Sequence, residues 1–245
     1  MISYSKILLF LSFIFLSQIN LRAQGAHELD GTLDGALLGA GGLTFGLGFH
    51  LLKKTKPLTE EEIRLMDPLN VNKLDRPTTK NWDPVAHRIS DITLHASFYS
   101  QFSLLLDNNS RDEAGTIGVM MAEVALLNNG ITNIFKGTVH RKRPFAYNPD
   151  DRIPMDKKLH RNAKFSFFSG HASNSASYAF LTAKVFTDNN PNSKWNPYVW
   201  SAAVTLPAVT SFLRVKAGKH FPTDVVVGYA VGAAIGFLVP ELHKL

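Results

Sequence analysis

Long apolar stretches separated by polar connections dominate the hydrophobic pattern of this chain. No segment of useful length shows the strict alternation of apolar and polar residues that a half-buried strand requires. The pattern therefore predicts an all-α fold, a single bundle of about six helices. The six predicted helices are Gly35–Leu52, Ile92–Leu106, Gly115–Phe135, His171–Phe186, Pro197–Leu213 and Asp224–Val239.

Glycine recurs every fourth residue in the last predicted helix, at Gly228, Gly232 and Gly236. This spacing puts the three glycines on one helix face. A glycine inside a helix costs about 1 kcal/mol relative to alanine, so the pattern predicts that another helix approaches this face closely. The first predicted helix is also rich in glycine, which indicates the same kind of packing.

Two long polar connections interrupt the helices, Lys53–Arg88 and Phe145–Lys164. In the first, Thr59 is followed three residues later by Glu62, a capping-box spacing that predicts one short helix. Both connections are longer than ordinary loops, and connections of this length often carry function.

The first residues resemble an export signal, with Lys6 ahead of an apolar run over Ile7–Leu16 and a cleavage point near Ala23. The run is shorter than the about 20 residues of a membrane-spanning helix. We therefore expect a signal peptide over residues 1–23, one domain over residues 24–245, and export to a bacterial cell envelope, in the periplasm and in association with the membrane.

Membrane crossing by the helices is left open by the sequence. The third predicted helix contains Glu123, Asn128 and Asn129, which are costly in lipid unless they face protein, and the mean hydropathy of −0.02 is low for six spans. A cleaved leader and three crossings would put residues 136–143 in the cytoplasm, so a soluble or surface-bound bundle and a retained leader are alternatives. The charge-free segments near spanning length are Gly35–Leu52, Trp195–Leu213 and Val225–Pro240.

Composition adds two restrictions. The absence of cysteine excludes disulfides and thiolate ligands or nucleophiles. The net charge of +6 is modest and does not require nucleic acid, because a phosphate-binding site or an anionic membrane surface accounts for it equally well.

Residues suited to phosphate chemistry occur in three separated motifs. His220 and Asp224 are one helical turn apart and share a face if a helix begins near Phe221. A carboxylate bonded to one imidazole nitrogen leaves the other nitrogen free as a nucleophile or base. Each motif alone has a simpler interpretation as a basic patch, a helix cap or a helix-end charge, but their joint spacing is specific. The motifs are Lys136-x6-Arg143-Pro144, Ser169-Gly170-His171 and Arg214-x5-His220-x3-Asp224.

These motifs resemble those of the type 2 phosphatidic acid phosphatase superfamily, whose relatives include bacterial acid phosphatases and vanadium haloperoxidases. That family's pattern is a lysine ahead of Arg-Pro, then Pro-Ser-Gly-His, then Ser-Arg-x5-His-x3-Asp. Every charged position of the pattern matches between Lys136 and Asp224. Phe168 replaces the proline of the pattern and Leu213 replaces its serine, departures that bear on the substrate range rather than on the reaction type.

The resemblance implies a role for each matching residue and an active site at one end of the bundle. His220 would attack phosphorus to form a phosphohistidine, Asp224 would orient His220, and His171 would protonate the leaving oxygen and then activate water. No metal or other cofactor is implied, because cations stabilise the charge of the transferred group. The other histidines, His87 among them, are interpreted as structural or surface residues. The implied phosphate-binding residues are Lys136, Arg143, Ser169, Gly170 and Arg214.

The function implied is a metal-independent phosphatase for phosphate monoesters or diphosphates of lipids, or for a small soluble phosphate ester. Phe165, Phe167 and Phe168 next to the second motif favour an amphiphilic substrate. The alternatives are a vanadate-dependent haloperoxidase and a non-catalytic lipid-binding protein of the envelope.

Overall fold

The computed structural model describes residues 25–245, and the predicted signal peptide lies outside them. Within that range the chain is helical, and its only extended pairing is an isolated bridge between His27 and Lys244, so the all-α prediction is confirmed. Short helices occupy the connections, among them Glu60–Arg64, where the predicted capping box is formed. The six long helices are α1 (Gly31–Lys54), α2 (Pro84–Ser100), α3 (Ala114–Val139), α4 (Gly170–Asn189), α5 (Asn196–Lys216) and α6 (Pro222–Leu242).

Helix α4 is the centre of the bundle and packs against α2, α3, α5 and α6. Most of its side chains are buried, and many of them are small, such as Ala172, Ala176 and Ala179. Its larger apolar side chains, such as Leu181, pack against those of α3, such as Met120, and form the main hydrophobic core. Helix α1 lies against α3 at the outside of the bundle.

The glycines of α6 allow it to lie directly on the backbone of α4. A Cβ atom added to Gly228, Gly232 or Gly236 would stand 2.5, 2.0 or 2.2 Å from a backbone carbonyl oxygen of α4 or its cap. The close approach predicted from the four-residue spacing is therefore confirmed. Helices α1 and α3 meet in the same way, since a Cβ on Gly48 would come within 3.0 Å of the Gly130 carbonyl oxygen.

Helix α2 begins eight residues before its predicted start at Ile92. Asp83 caps it by accepting hydrogen bonds from the backbone N–H groups of Val85 and Ala86, both at 2.9 Å, and Pro84 occupies the first turn. The sequence pattern missed this turn because its polar residues face a polar site and interrupt the apolar periodicity.

Three helical segments of the described chain are long and apolar enough to cross a membrane by length and composition: Gly31–Lys54, Ala114–Tyr147 and Pro222–Leu242. The segment Trp195–Leu213, predicted to be of this kind, is not among them. The polar residues of α3 face protein, because Glu123 and Asn128 are buried and Asn129 accepts a hydrogen bond from Asn174 at 3.1 Å.

Candidate active site

Ends of five long helices converge at one end of the bundle and, with the connections next to them, carry all the residues predicted from the motifs. Lys136 lies in the last turn of α3 and Arg214 in the last turns of α5. His171 lies in the first turn of α4, and Asp224 in the first turn of α6. The start of α2 lies at the same end and adds residues that the motifs did not include.

The loop between α5 and α6 carries His220 and depends on one glycine. Gly218 has a φ of +67°, in the left-handed region, and a Cβ there would stand 2.0 Å from the carbonyl oxygen of Asn81. The carbonyl of Gly218 in turn accepts a hydrogen bond from the N–H of Phe145 at 3.0 Å. The loop is thereby joined to the segment that begins with Arg143.

His220 is almost fully buried, and its ring is oriented by a backbone carbonyl. The Nδ1 atom donates to the carbonyl oxygen of Ser166 at 2.7 Å. A carbonyl only accepts, so Nδ1 carries the proton and Nε2 presents a lone pair. Among the described residues no group forms a hydrogen bond with Nε2.

Asp224 does not form the direct bond to His220 that the four-residue spacing predicted. Its Oδ2 atom is 3.9 Å from Nδ1 of His220 and accepts instead from Oγ of Ser166 at 2.5 Å and from the N–H of Phe221 at 2.8 Å. The first turn of α6 points the carboxylate at its own helix start and at Ser166. Asp224 and His220 are thereby connected through Ser166, whose hydroxyl donates to the carboxylate and whose carbonyl accepts from the ring.

Arg141 and Asp75 hold Asp224 from the other side. Arg141 donates to Asp224 at 2.5 Å and to Asp75 at 2.7 Å, and its guanidinium lies 4.3 Å from the ring centre of Phe221. Asp75 also accepts from the hydroxyl of Thr223 at 2.6 Å. These hydrogen bonds hold the pKa of Asp75 below its usual value although burial opposes this. The carboxylate of Asp224 is thus held in place by Arg141, Ser166 and its own helix start.

The cations of the motifs have few anionic partners. Arg143 donates to the backbone and side-chain oxygens of Asn162, both at 2.9 Å, and to the carbonyl oxygen of Lys219 at 3.3 Å, all of them neutral acceptors. Lys136 forms no ion pair within residues 25–245, and its Nζ would be 2.8 Å from a Cβ on Gly170. The positive charge is therefore available to an incoming anion.

Arg214 is held by residues of α2. Its Nη1 is 2.8 Å from Nδ1 of His87 and 3.3 Å from Oγ of Ser90, while Asp91 is 3.9 Å away. The Nε atom of Arg214 is buried and has no hydrogen-bond partner in the described chain. A buried guanidinium N–H without an acceptor is costly, and a phosphate oxygen would satisfy it.

Helix α4 begins at the same place and directs its amino end toward the cations. Ser169 is the N-cap and accepts from the N–H of Ala172 at 3.3 Å, and the helix starts at Gly170. Free N–H groups and the positive end of the helix dipole favour an anion here. Phe168 is buried and packs on Phe135, with ring centres 5.5 Å apart.

His171 is paired with an acidic residue that the sequence analysis missed. Its Nε2 is 2.7 Å from Oδ1 of Asp91 in α2. His87, one turn earlier on the same helix, lies 2.8 Å from Arg214, a place in the site that its interpretation as a structural or surface residue did not anticipate. The missed signal was the start of α2: a helix beginning at Asp83 would have put His87 and Asp91 on one face.

Burial and the cations keep the site histidines neutral. The pKa values of His87, His171 and His220, which we call the three site histidines, all lie below the usual value of 6.5. Burial is the largest cause in each, followed by the positive charge of Arg214 for His87 and His171 and of Arg143 for His220. Burial and the same two arginines lower the pKa of Lys219 to about 7.

Comparisons with known proteins identify a family and several relatives. The family model of the PAP2 superfamily matches residues 117–244. The chain is similar to the lipid A 4'-phosphatase of Porphyromonas gingivalis, with 28% identity over 144 residues, or 58% of this chain and 57% of that protein. It is also similar to phosphatidylglycerophosphatase B of Bacillus subtilis, with 30% identity over 123 residues, or 50% of this chain and 56% of that protein. The matches thus span somewhat more than half the length of these curated relatives.

A solved structure, that of the transmembrane PAP2-type phosphatidylglycerolphosphate phosphatase of Bacillus subtilis, aligns with 98% of this chain and 96% of its own. Its sequence identity is 21% and its TM-score 0.48. The family model covers more than half of the chain and includes every motif residue from Lys136 to Asp224. The chain belongs to the PAP2 superfamily.

Proposed function

We propose that this protein is a phosphatase that hydrolyses lipid phosphate esters at one surface of a bacterial membrane, through a phosphohistidine intermediate and without a metal ion. The observation that carries the proposal is the cluster of cations formed by the buried Arg143 and Arg214 and the partly buried Lys136, with mostly neutral partners. A transferring phosphoryl group spreads negative charge over three oxygens, and this cluster supplies positive charge where that develops.

His220 is suited to be the nucleophile. With the proton of Nδ1 directed to Ser166, the lone pair of Nε2 attacks phosphorus while the bond to the leaving oxygen breaks. The depressed pKa of His220 keeps this lone pair free near neutral pH. A water molecule then cleaves the bond between phosphorus and Nε2, and the product is inorganic phosphate.

His171 is suited to be the proton donor and acceptor. In the ligand-free site its pKa is low, so the imidazole is neutral. A bound phosphate dianion offsets the cations and, together with Asp91, favours the imidazolium form that protonates the leaving oxygen. The neutral ring that results takes a proton from the attacking water.

A lipid substrate is supported by the surroundings of the site and by the relatives. Phe135, next to Lys136, is 42% exposed, and its ring lies 6.1 Å from that of Phe167, so an apolar surface adjoins the cations. Phe165 and Phe168 are buried and belong to the core. Both curated relatives carry names of phosphatases that act on lipids.

The test measures phosphate release by the full chain in detergent, from a chromogenic ester and from lipid phosphates. His220→Ala should abolish turnover, while His50→Ala, at an exposed position on α1, should retain it. Rapid quenching should trap a phosphoryl group on His220 that mass spectrometry locates. Wild-type turnover in His220→Ala would refute the mechanism, and a large loss of turnover with a chelator would refute the metal-independent chemistry.

A further inference from the structure

Three ionisable side chains meet at the end of the bundle opposite the candidate active site. Asp34 lies in the first turn of α1, Glu123 on α3, and His243 directly after α6. His243 follows Asp224 by 19 residues, and at 1.5 Å per helical residue the two lie about 28 Å apart. The proposed phosphatase chemistry does not use these three residues.

The three side chains direct their oxygen and nitrogen atoms at one point. Nε2 of His243 is 2.7 Å from Oδ1 of Asp34 and 3.4 Å from Oε2 of Glu123. One ligand atom from each residue lies within 4.8 Å of the other two. Glu123 and His243 are buried, and the partly exposed Asp34 leaves a route from solvent.

Val239 holds His243 so that the other ring nitrogen is directed at the carboxylates. Nδ1 of His243 donates to the carbonyl oxygen of Val239 at 2.8 Å, because a carbonyl only accepts, and Nε2 forms a hydrogen bond with Asp34 at 2.7 Å. A cation that replaced the proton of this second hydrogen bond would receive the lone pair of Nε2 and an oxygen of each carboxylate. This pattern, one ring nitrogen bonded to a carbonyl and the other directed at oxygen ligands, is that of a metal-binding histidine.

Glu123 supplies the independent sign that a ligand belongs here. Both of its carboxylate oxygens are buried, and neither accepts a hydrogen bond from any group within residues 25–245. A buried carboxylate with no donor to either oxygen is strongly unfavourable, and a divalent cation would neutralise its charge together with that of the neighbouring Asp34.

At the same end of the bundle lies a second acidic cluster, Glu113 and Asp188, in which each carboxylate accepts hydrogen bonds from nearby donors. Glu113 accepts from the N–H of His27 at 3.0 Å and from the side chain of Asn189. Asp188 accepts from Lys184 and, at 3.0 Å, from Lys244. Every carboxylate of that cluster has donors, whereas Glu123 has none.

We propose that Asp34, Glu123 and His243 bind a divalent transition-metal ion of the Zn²⁺ type and join α1, α3 and α6 at this end of the bundle. One imidazole nitrogen and two carboxylate oxygens suit such an ion, with a fourth position open to water. Mg²⁺ and Ca²⁺ fit less well, because they prefer ligand sets made entirely of oxygen.

The test uses the full chain in detergent, freed of metal by a chelator and then titrated with Zn²⁺ by calorimetry and with Co²⁺ by visible absorption. The wild type should bind Co²⁺ with d–d bands and should melt at a higher temperature when Zn²⁺ is added. Glu123→Gln, which removes one ligand charge, should weaken binding by more than about tenfold. Glu113→Gln, at the other buried glutamate of this end, is the matched control and should bind as the wild type does.

Phosphate release by Glu123→Gln, assayed below its melting temperature, should equal that of the wild type, which separates this site from the proposed catalytic one. If Glu123→Gln does not fold, Asp34→Asn, at a partly exposed position, should show the same loss of metal affinity. Uptake of neither metal by the wild type would mean that the three groups share only a proton and would overturn the proposal. Equal affinity in wild type and Glu123→Gln, or in wild type and Asp34→Asn, would overturn it as well.

Discussion

Ser166 is the residue through which Asp224 is expected to act on His220, and Ser166→Ala tests that connection. The substitution removes only the hydroxyl that donates to Asp224 at 2.5 Å and keeps the carbonyl that accepts from His220 at 2.7 Å. The imidazole therefore retains its partner, but the partner is no longer held by the carboxylate.

The size of the effect follows from the one bond that is lost. A hydrogen bond to a charged group contributes about 1.5–3 kcal/mol. If half of this contribution positions His220 in the transition state, kcat falls by about four- to thirteenfold, since 1.36 kcal/mol corresponds to a factor of ten. KM should change little, because Ser166 does not contact the phosphate-binding cations.

The assay compares kcat and KM for Ser166→Ala, Asp224→Asn and the double variant. Ser175→Ala is the matched control. It also removes a buried hydroxyl, but this hydroxyl forms hydrogen bonds with Ser97 and Thr210, away from His220. The losses of kcat in Ser166→Ala and Asp224→Asn should be less than additive in the double variant, since each substitution breaks the same connection. Wild-type kcat in Ser166→Ala, or strictly additive losses, would refute the reasoning and would favour a direct bond between Asp224 and His220.

Three further predictions follow from the site and the packing. Asp91→Asn should lower kcat by about tenfold for an alkyl phosphate but less for a nitrophenyl ester, which needs no proton from His171; equal losses would exclude a role in proton transfer. Gly232→Ala should lower the free energy of unfolding by about 1–3 kcal/mol, because its Cβ would meet a carbonyl oxygen at 2.0 Å. Gly39→Ala, with nothing within 4 Å, should be neutral or slightly stabilising in the same denaturation experiment. The free energy of unfolding should also decrease as the pH falls below about 6.5. The three site histidines have lowered pKa values in the folded protein, so the unfolded chain binds more protons at these pH values. A melting temperature that stays constant between about pH 7.5 and about pH 5.5 would contradict this prediction.

The helices could be predicted from the sequence because their signals are local. Apolar periodicity located the six helices, and the capping box at Thr59 and Glu62 located a short one. The start of α2 was missed because its first turns carry polar residues that face the site. The periodicity of apolar residues predicts a helix that packs against an apolar core, but it gives no signal for a helix that packs against charged residues.

The contacts among the candidate site residues depend on distances that no sequence spacing encodes. The spacing of His220 and Asp224 allowed a direct bond, but the turn before α6 directs the carboxylate to Ser166. Asp75 and Asp91 lie far from the motifs along the chain and join the site only through folding. Arg141 lies within the first motif, between Lys136 and Arg143, but its contacts depend on the two aspartates that folding brings to it.

The glycines of α6 connect the packing of the bundle to the chemistry of the site. The N–H of Ser169 donates to the backbone carbonyl of Asp224 at 3.0 Å, and a Cβ on Gly228 would stand 2.5 Å from the Ser169 carbonyl oxygen. The amino end of α4 and the first turn of α6 can therefore be this close only while position 228 has no side chain. A displacement of about 1 Å between reacting groups can reduce a rate by about a hundredfold. A side chain at Gly228 would separate the amino end of α4 from the turn that holds Asp224 and His220, so we expect this glycine face to set the geometry of the candidate site as well as the stability of the bundle.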